Sequence, residues 1–291
     1  MTILINKYTK VVVQGMTGRE GTFHTQQMLN YGTNVVAGVS PKKAGQSWNN
    51  IPIMETVNEA VDYEDADASI IFVPPQFAAE SIKEAIDAGI SVIVCITDGI
   101  PAHDMIYIRR EINQSNAKLI GPNCPGAISP GEIKLGIMPG HIYKKGNIGI
   151  ISRSGSLSYE IAYNLTNNGF GQSTIVGVGG DAIKGVEHID CLPLFDNDPE
   201  TNAVVLIGEI GGDDEEQAAK YIKEQGKKPV VAFLAGKAAP EGKKMGHAGA
   251  IVQGGKGSYQ SKYEALSDAG VSIAETPFEV VDLLKKVTCV T

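Results

Sequence analysis

The chain has no run of about 18 consecutive apolar residues, so no membrane-spanning helix is expected. It is also poor in cysteine. The four present (Cys95, Cys124, Cys191 and Cys289) lie far apart, without a CxxC pair or clustered histidines. Neither a disulfide framework nor a zinc site is implied, no metal-ligand set is assigned to the chain, and a reducing compartment is expected. Aromatic residues make up only 6%, which disfavours an aromatic-rich β-sandwich. Basic excess is absent as well: the formal charge of −8 speaks against a nucleic-acid partner, which would normally meet a basic face. Residues 1–15 show no basic stretch followed by an apolar core, and no Arg/Ser-rich amphipathic character. The expected location is therefore cytoplasmic, or the mitochondrial matrix if a presequence has been removed. A triphosphate loop, G-x-x-x-x-G-K-[ST], is missing too; Gly254-Gly255-Lys256-Gly257-Ser258 comes near it in composition but not in spacing or order.

What the chain does have is glycine, 34 residues of it, and a steady alternation of short β-branched runs with amphipathic stretches. Strands are expected at Lys10–Gln14, Asn34–Val39, Ser69–Val73, Ser91–Ile96 and Lys118–Ile120. A second set is expected at Asn147–Ile151, Thr174–Val178, Ala203–Ile207, Pro229–Leu234 and Val271–Ala274. Most are continuously apolar, as strands buried on both faces must be. Helices are expected between them at Gln76–Ala88, Ala102–Asn116, Leu157–Asn167, Asp213–Glu224 and Ser258–Ala269. This pattern predicts an α/β protein with parallel sheets and crossover helices. The alternation pauses at Gly121–Lys145, which holds Pro122, Pro125, Pro130 and Pro139 and can be neither a long helix nor a central strand. Its length of 291 residues suits two domains joined there: residues 1–125, a connecting segment 126–146, and residues 147–291.

Chemistry concentrates at the ends of the expected strands. Val11–Gln14 runs into Gly15-x-x-Gly18-x-x-Gly21 and then a helix, so the backbone can turn sharply and offer free N–H groups to an anion. The spacing differs from the dinucleotide pattern G-x-G-x-x-G. After the next strand, where an NAD-binding unit places a carboxylate, the chain reads Ser40-Pro41-Lys42-Lys43. Two lysines there suit a nucleotide with an extra ribose phosphate, NADP or coenzyme A, or else are solvated surface charges. Ser152-Arg153-Ser154-Gly155-Ser156 leads from a strand into a helix, as a phosphate cradle or as ordinary capping. Glu209 ends an apolar run between glycines, at the edge where α/β folds bind ligands. His247, in Gly246-His247-Ala248-Gly249-Ala250, has neighbours too small to cover its ring; it is either a reachable nucleophile for phosphoryl transfer or a loop residue without a role.

Taken together, the segments QGMTGREGTFH, GVSPKKAG, ITDGIP, GPNCPG, IMPGH, SRSGSLSYE, GFGQSTIVGVGGD, GEIGG and GHAGAI stand in the order found in α subunits of succinate–CoA ligases, which the chain resembles from end to end. The resemblance implies an N-terminal Rossmann-like CoA-binding domain followed by a flavodoxin-like parallel-sheet domain. It implies His247 as the phosphorylated histidine and Glu209 as its orienting carboxylate. Thr17, Gly18, Arg19, Glu20, Lys43, Ile96, Thr97 and Asp98 match the CoA site, and Asn123 and Cys124 fall near where the CoA thiol would lie. Tyr159 matches the substrate-site tyrosine, and Ser154 and Gly155 the helix start that receives phosphate. Arg19, Glu20 and Asp98 depart in type from the side chains usual there, so backbone N–H groups are expected to carry the turn's binding. The implied partners are a β subunit, in an αβ or α2β2 assembly, holding ATP or GTP with Mg²⁺, and the small molecules succinate, CoA and phosphate. Alternatives that share parts of the pattern are a malate–CoA ligase subunit, an NADP-dependent oxidoreductase and a non-catalytic CoA sensor.

Overall fold

The computed structural model describes residues 2–240, 242–252 and 257–288; Cys289 and the near-match Gly254–Lys256 lie outside them. The first sheet holds β1 (Lys10–Gln14), β2 (Asn34–Val39), β3 (Ser47–Trp48), β4 (Ile51–Met54), β5 (Ala68–Ile71), β6 (Val92–Cys95) and β7 (Lys118–Ile120). Its order is β3-β4-β2-β1-β5-β6-β7. Helices α1 (Arg19–Tyr31), α2 (Val57–Glu64), α3 (Pro75–Asp87) and α4 (Ala102–Gln114) connect these strands. All neighbours but β3 and β4 pair in parallel. Counting only the parallel strands, the order is the 3-2-1-4-5-6 of a dinucleotide-binding sheet, with its switch point between β1 and β5.

The second sheet holds β8 (Gly126–Ser129), β9 (Ile133–Gly136), β10 (Lys145–Ser152), β11 (Gln172–Gly177), β12 (Ala203–Glu209), β13 (Val230–Ala235) and β14 (Ser272–Ala274). The helices on it are α5 (Gly155–Asn167), α6 (His188–Asn197), α7 (Asp214–Gln225), α8 (Tyr259–Asp268) and α9 (Glu279–Thr288). The order β14-β13-β12-β10-β11-β8-β9 contains the 2-1-3-4-5 arrangement of flavodoxin-like sheets in its five parallel strands, and its switch point lies between β10 and β12. Burial on both faces explains the continuously apolar strands: every residue of β11 and β12 is buried.

Each expected strand and helix has its counterpart, displaced by a residue or two at the ends. The pause in the alternation is more structured than expected. Residues 126–136 form an antiparallel hairpin, β8 and β9, whose strand β8 pairs antiparallel with β11. Proline and glycine flank these strands at the sheet's edge, where a missing donor is tolerated. The hairpin strands, like β3 and β4, are too short to leave a periodic signal.

Side chains from both halves share one buried apolar cluster, which includes Val13, Ile70 and Val94 with Ile151, Val176 and Leu206. Polar contacts fix the junction. After β11 the chain returns to β7, where Val186 N–H donates to Leu119 O at 2.7 Å and Gly185 N–H to Gly121 O at 2.8 Å. On the far side Thr33, just beyond α1, covers the outer edge of β9. Its hydroxyl donates to Lys134 O at 2.6 Å and accepts Lys134 N–H at 3.2 Å. Thr33 is buried, so removing that hydroxyl leaves two edge groups without a partner. Thr33→Val, which keeps the shape, is expected to cost about 1–3 kcal/mol, read as a lower urea midpoint; an unchanged midpoint would show that the β9 edge does not depend on this hydroxyl.

Candidate active site

Two sites form at the carboxyl ends of the two sheets, each at its switch point. At the first, Gly15 has φ +77° and lets β1 turn, and a side chain at Gly21 would overlap the Gly15 carbonyl. The N-terminus of α1 follows, with Gly18 extended at the cap and no side chain capping it. Its first amides are thereby left open to an anion. The turn borders a cleft of about 640 Å³ lined by Gln14, Gly15, Thr17, Ser40, Lys42, Val73, Pro74 and Phe77, among others. That volume suits a nucleotide-sized ligand, which ordinarily fills roughly 300–1,000 Å³. Thr17 Oγ1 lies 3.0 Å from Ser40 Oγ, tying the turn to the end of β2. Lys42 lines the cleft; Lys43 sits beside it in the same short turn, Pro41–Lys43, and is exposed. Arg19 and Glu20 lie outside on the first turn of α1, 3.9 Å apart and solvated. Ile96, Thr97 and Asp98 follow β6, and Thr97 Oγ1 donates to Val73 O, a cleft residue, at 2.7 Å.

The second site gathers around His247, in the loop between β13 and α8. The loop's small residues leave the ring open, but the ring is not bare. Gly180, after β11, packs so closely on one face that a side chain there would overlap the imidazole. His247 Nδ1 lies 2.8 and 3.0 Å from the two carboxylate oxygens of Glu209, the last residue of β12. A carboxylate only accepts, so Nδ1 carries the hydrogen and Nε2 of the neutral ring carries the lone pair. Nε2 has no hydrogen-bond partner among the described residues, and the side chain is 30% exposed. The hydrogen bond to Glu209 raises the histidine's pKa above its usual 6.5 and outweighs the opposing effect of burial.

Glu209 is itself held from behind. The buried Arg153, just past the end of β10, places a guanidinium nitrogen 3.3 Å from Glu209 Oε1. The same side chain donates to Gly211 O at 2.8 Å. Ser154 caps α5, its Oγ accepting Leu157 N–H at 3.3 Å. Ser154 is thus the cap, and Gly155 opens the helix. One turn on, Tyr159 approaches the space above Gly155, and burial raises its hydroxyl pKa to about 12.

A seam joins the two sites. Asn123 N–H donates to Thr97 O at 3.0 Å, and Asn123 O accepts Gly180 N–H at 3.2 Å. The Asn123 side chain donates to Asp181 Oδ1 at 3.0 Å, with Asp181 buried next to the His247 environment. Cys124 is placed differently: its thiol is buried and donates to Cys95 O at 3.3 Å, and burial pushes its pKa far up. It is an inert thiol that packs the seam.

Several members of the second site escaped the sequence reading. Arg153 lies inside the serine-rich turn that reads as a phosphate cradle or as ordinary capping, and an arginine at the end of an apolar strand is the one signal that marks it. Gly180, Asp181 and Lys262 gave no such signal. Glu215 followed Asp213 and Asp214, which read together as helix-starting acids. Only α7's inward turn separates Glu215, fully buried, from Asp213, which is exposed.

Two protein families match separate parts of the chain. The CoA binding domain family matches residues 6–99, and the CoA-ligase family matches residues 151–272. The succinate–CoA ligase [ADP-forming] subunit alpha of Aquifex aeolicus is 56% identical over 289 residues, covering 99% of this chain and 95% of its own. Subunit alpha 2 of the same enzyme from Archaeoglobus fulgidus is also 56% identical, over 99% of this chain and all of its own. The chain belongs to the succinate–CoA ligase α subunits. Among solved structures, the ATP citrate lyase of Methanothrix soehngenii, in complex with citrate and coenzyme A, superposes with a TM-score of 0.90 at 25% identity. That match covers 99% of this chain, which spans 51% of the longer lyase chain.

For a succinate–CoA ligase α subunit, the first site falls within the CoA-binding family match and the second within the ligase match. The relatives' names, each a subunit alpha, imply a partner β subunit. The Glu209 contact fixes how this site responds to pH. Because the folded-state pKa of His247 is raised, the imidazolium–Glu209 pair adds stability that is fully present below the ordinary value near 6.5. That stability is lost as pH rises through the raised value. Glu209→Gln removes the charge that favours the imidazolium, so the histidine should titrate at lower pH, measurable by NMR of the ring nitrogens. A titration unmoved by this substitution would show that the Glu209 carboxylate does not set the histidine's charge.

Proposed function

We propose that the chain carries out its share of succinyl-CoA formation through a phosphoryl group on His247 Nε2, with CoA held in the cleft of the first sheet. The observation that carries the reading is the Glu209–His247 pair at the β10–β12 switch point, with Nε2 left without a protein partner among the described residues. In the first step Nε2 attacks the terminal phosphorus of a nucleoside triphosphate and the bond to the diphosphate breaks. The relatives' names, ADP-forming, favour ATP. The triphosphate and its Mg²⁺, which neutralises phosphate charge, belong on the β subunit, since no phosphate loop of the usual pattern occurs in this sequence. In the second step a succinate carboxylate oxygen attacks the phosphorus and His247 leaves, giving succinyl phosphate. In the third the CoA sulfur attacks the acyl carbon, its proton is lost, and phosphate departs. Such steps depend on in-line placement and charge neutralisation more than on acid–base groups. The N-terminus of α5, with Ser154 and Gly155, is suited to receive phosphate, and Tyr159 to border the acid. This chemistry fits the citric acid cycle, and bacterial and archaeal relatives favour a cytoplasmic location.

Two tests follow. With ATP and the β subunit, the α chain should acquire an acid-labile, base-stable label that His247→Asn abolishes while CoA affinity is kept. The α chain alone should bind CoA yet remain unlabelled. Label on the Asn variant, or ligase turnover without the partner, would overturn the reading.

The second test concerns the lysines after β2. A charge-assisted contact to the 3′-phosphate is worth roughly 1.5–3 kcal/mol, about tenfold or more in affinity. Lys43 was expected to make it, and the cleft wall favours Lys42 as a helper. Substituting either contributor with alanine should weaken CoA far more than 3′-dephospho-CoA. Equal losses for the two ligands in both variants would leave the lysines as surface charges.

A further inference from the structure

Behind Glu209 lies a group of charged side chains that the steps above do not use. Glu215, on the first turn of α7, and Lys262, on α8, are both fully buried and form an ion pair. Glu215 Oε1 accepts the backbone N–H of Glu209 at 3.0 Å and lies 3.3 Å from an Arg153 guanidinium nitrogen. Lys262 Nζ also donates to Glu216 at 2.9 Å and to Gly212 O at 3.1 Å. Asp214 pairs with Lys184 on the other flank. Arg153 and Lys262 hold Glu215 ionised with a pKa of about 2, against a burial effect that would raise it.

Such a group adds little to stability. Buried ion pairs lose so much hydration that apolar side chains of similar volume serve as well or better. What this one does is geometric. Through one carboxylate, Glu215 grips Glu209 twice, by its backbone N–H and by way of Arg153. Lys262 holds Glu215 and, through Gly212, the turn on which the histidine loop rests: a side chain at Gly211 would overlap Gly249 O, and Gly211 N–H donates to Gly257 O at 2.7 Å. These two contacts of the loop converge on the Gly211–Gly212 turn.

We infer that Glu215 and Lys262 are positioning residues for phosphoryl transfer at His247, acting through Arg153, Glu209 and the Gly211–Gly212 turn. The inference rests on His247 being the phosphoryl acceptor. The charged groups around the histidine are Glu209, Arg153 and Asp181, with Glu215, Asp214 and Lys184 behind them and Lys244 beside Asp181.

The test uses the αβ enzyme and single-turnover labelling by ATP, followed across pH. Glu215→Leu combined with Lys262→Met removes both charges together, and Arg153 keeps Glu209 and Asp214 as partners. Labelling is expected to slow at least tenfold and its pH profile to shift, with CoA affinity retained. Restoring the acceptor oxygen, as Glu215→Gln in the Lys262→Met background, is expected to recover part of the rate. If the Leu–Met pair does not fold, Glu215→Gln alone keeps the shape and leaves Glu216 on Lys262, and it gives the same readout. A folded variant that labels at the parent rate with the parent pH profile overturns the inference. So does a loss that runs parallel in rate, CoA affinity and melting temperature, with no recovery by glutamine. Absence of label on parent His247 would instead sink the acceptor reading itself.

Discussion

A carboxylate at the end of a buried parallel strand needs something to hold it, because strand pairing fixes its backbone but leaves the side chain free to swing. Glu209 is in that position, and much of the second sheet's carboxyl edge is arranged around it. The sheet order puts β10 next to β12, so the residue after β10 and the last residue of β12 meet at the switch point. Arg153 and Glu209 are those residues, and their contact fixes one carboxylate oxygen. Glu209 can then meet the ring of His247, which arrives on a loop with little packing of its own. The glycines around it serve that meeting: Gly180 and Gly211 are bare where the imidazole and the loop's backbone approach.

The same logic explains why the two halves are joined so firmly. On the proposed mechanism a CoA sulfur must meet an acyl phosphate, with the two reactants assigned to different sheets. Misplacement by one ångström is enough to cost two orders of magnitude in such a step. The seam through Thr97, Asn123 and Gly180 is a chain of backbone hydrogen bonds, stiffer than side-chain contact alone. Thr33, bonded to the edge of β9, and the Leu119–Val186 pairing hold the halves at two further places.

The sequence made the long, apolar strands and their order of alternation plain, because burial on both faces leaves a compositional mark. It also marked the residues that sit on glycine-framed strand ends: the turn after β1, Glu209 and His247. It was silent on the hairpin β8–β9, whose four-residue strands lie among prolines and glycines that read as punctuation. It was silent, too, on what stands behind the site. Glu215 and Lys262 look in sequence like the solvated charges of amphipathic helices, and only the packing of α7 against α8 turns them inward. Lys42 and Lys43 show a finer limit: the motif places a basic turn after β2, but which lysine faces the cleft depends on the path of a three-residue turn.

On the reading proposed for His247, the Glu209 contact also accounts for why a histidine suits a carrier role at this place. In the free enzyme Nδ1–H donates to the carboxylate, and the lone pair on Nε2 is the proposed nucleophile. When Nε2 attacks phosphorus the ring becomes cationic, and the carboxylate already in place stabilises that charge without rearrangement. After transfer the hydrogen bond at Nδ1 is unchanged, and the protonated ring remains a good leaving group for the next acceptor. One contact therefore serves both halves of the exchange, provided Glu209 does not follow the ring as its charge changes. A carboxylate free to move would relax around each state and deepen it, slowing the next step. Held by Arg153 at one oxygen and by its own strand at the backbone, Glu209 stays where both states need it, and the stiffness of the buried charges behind it becomes part of the chemistry.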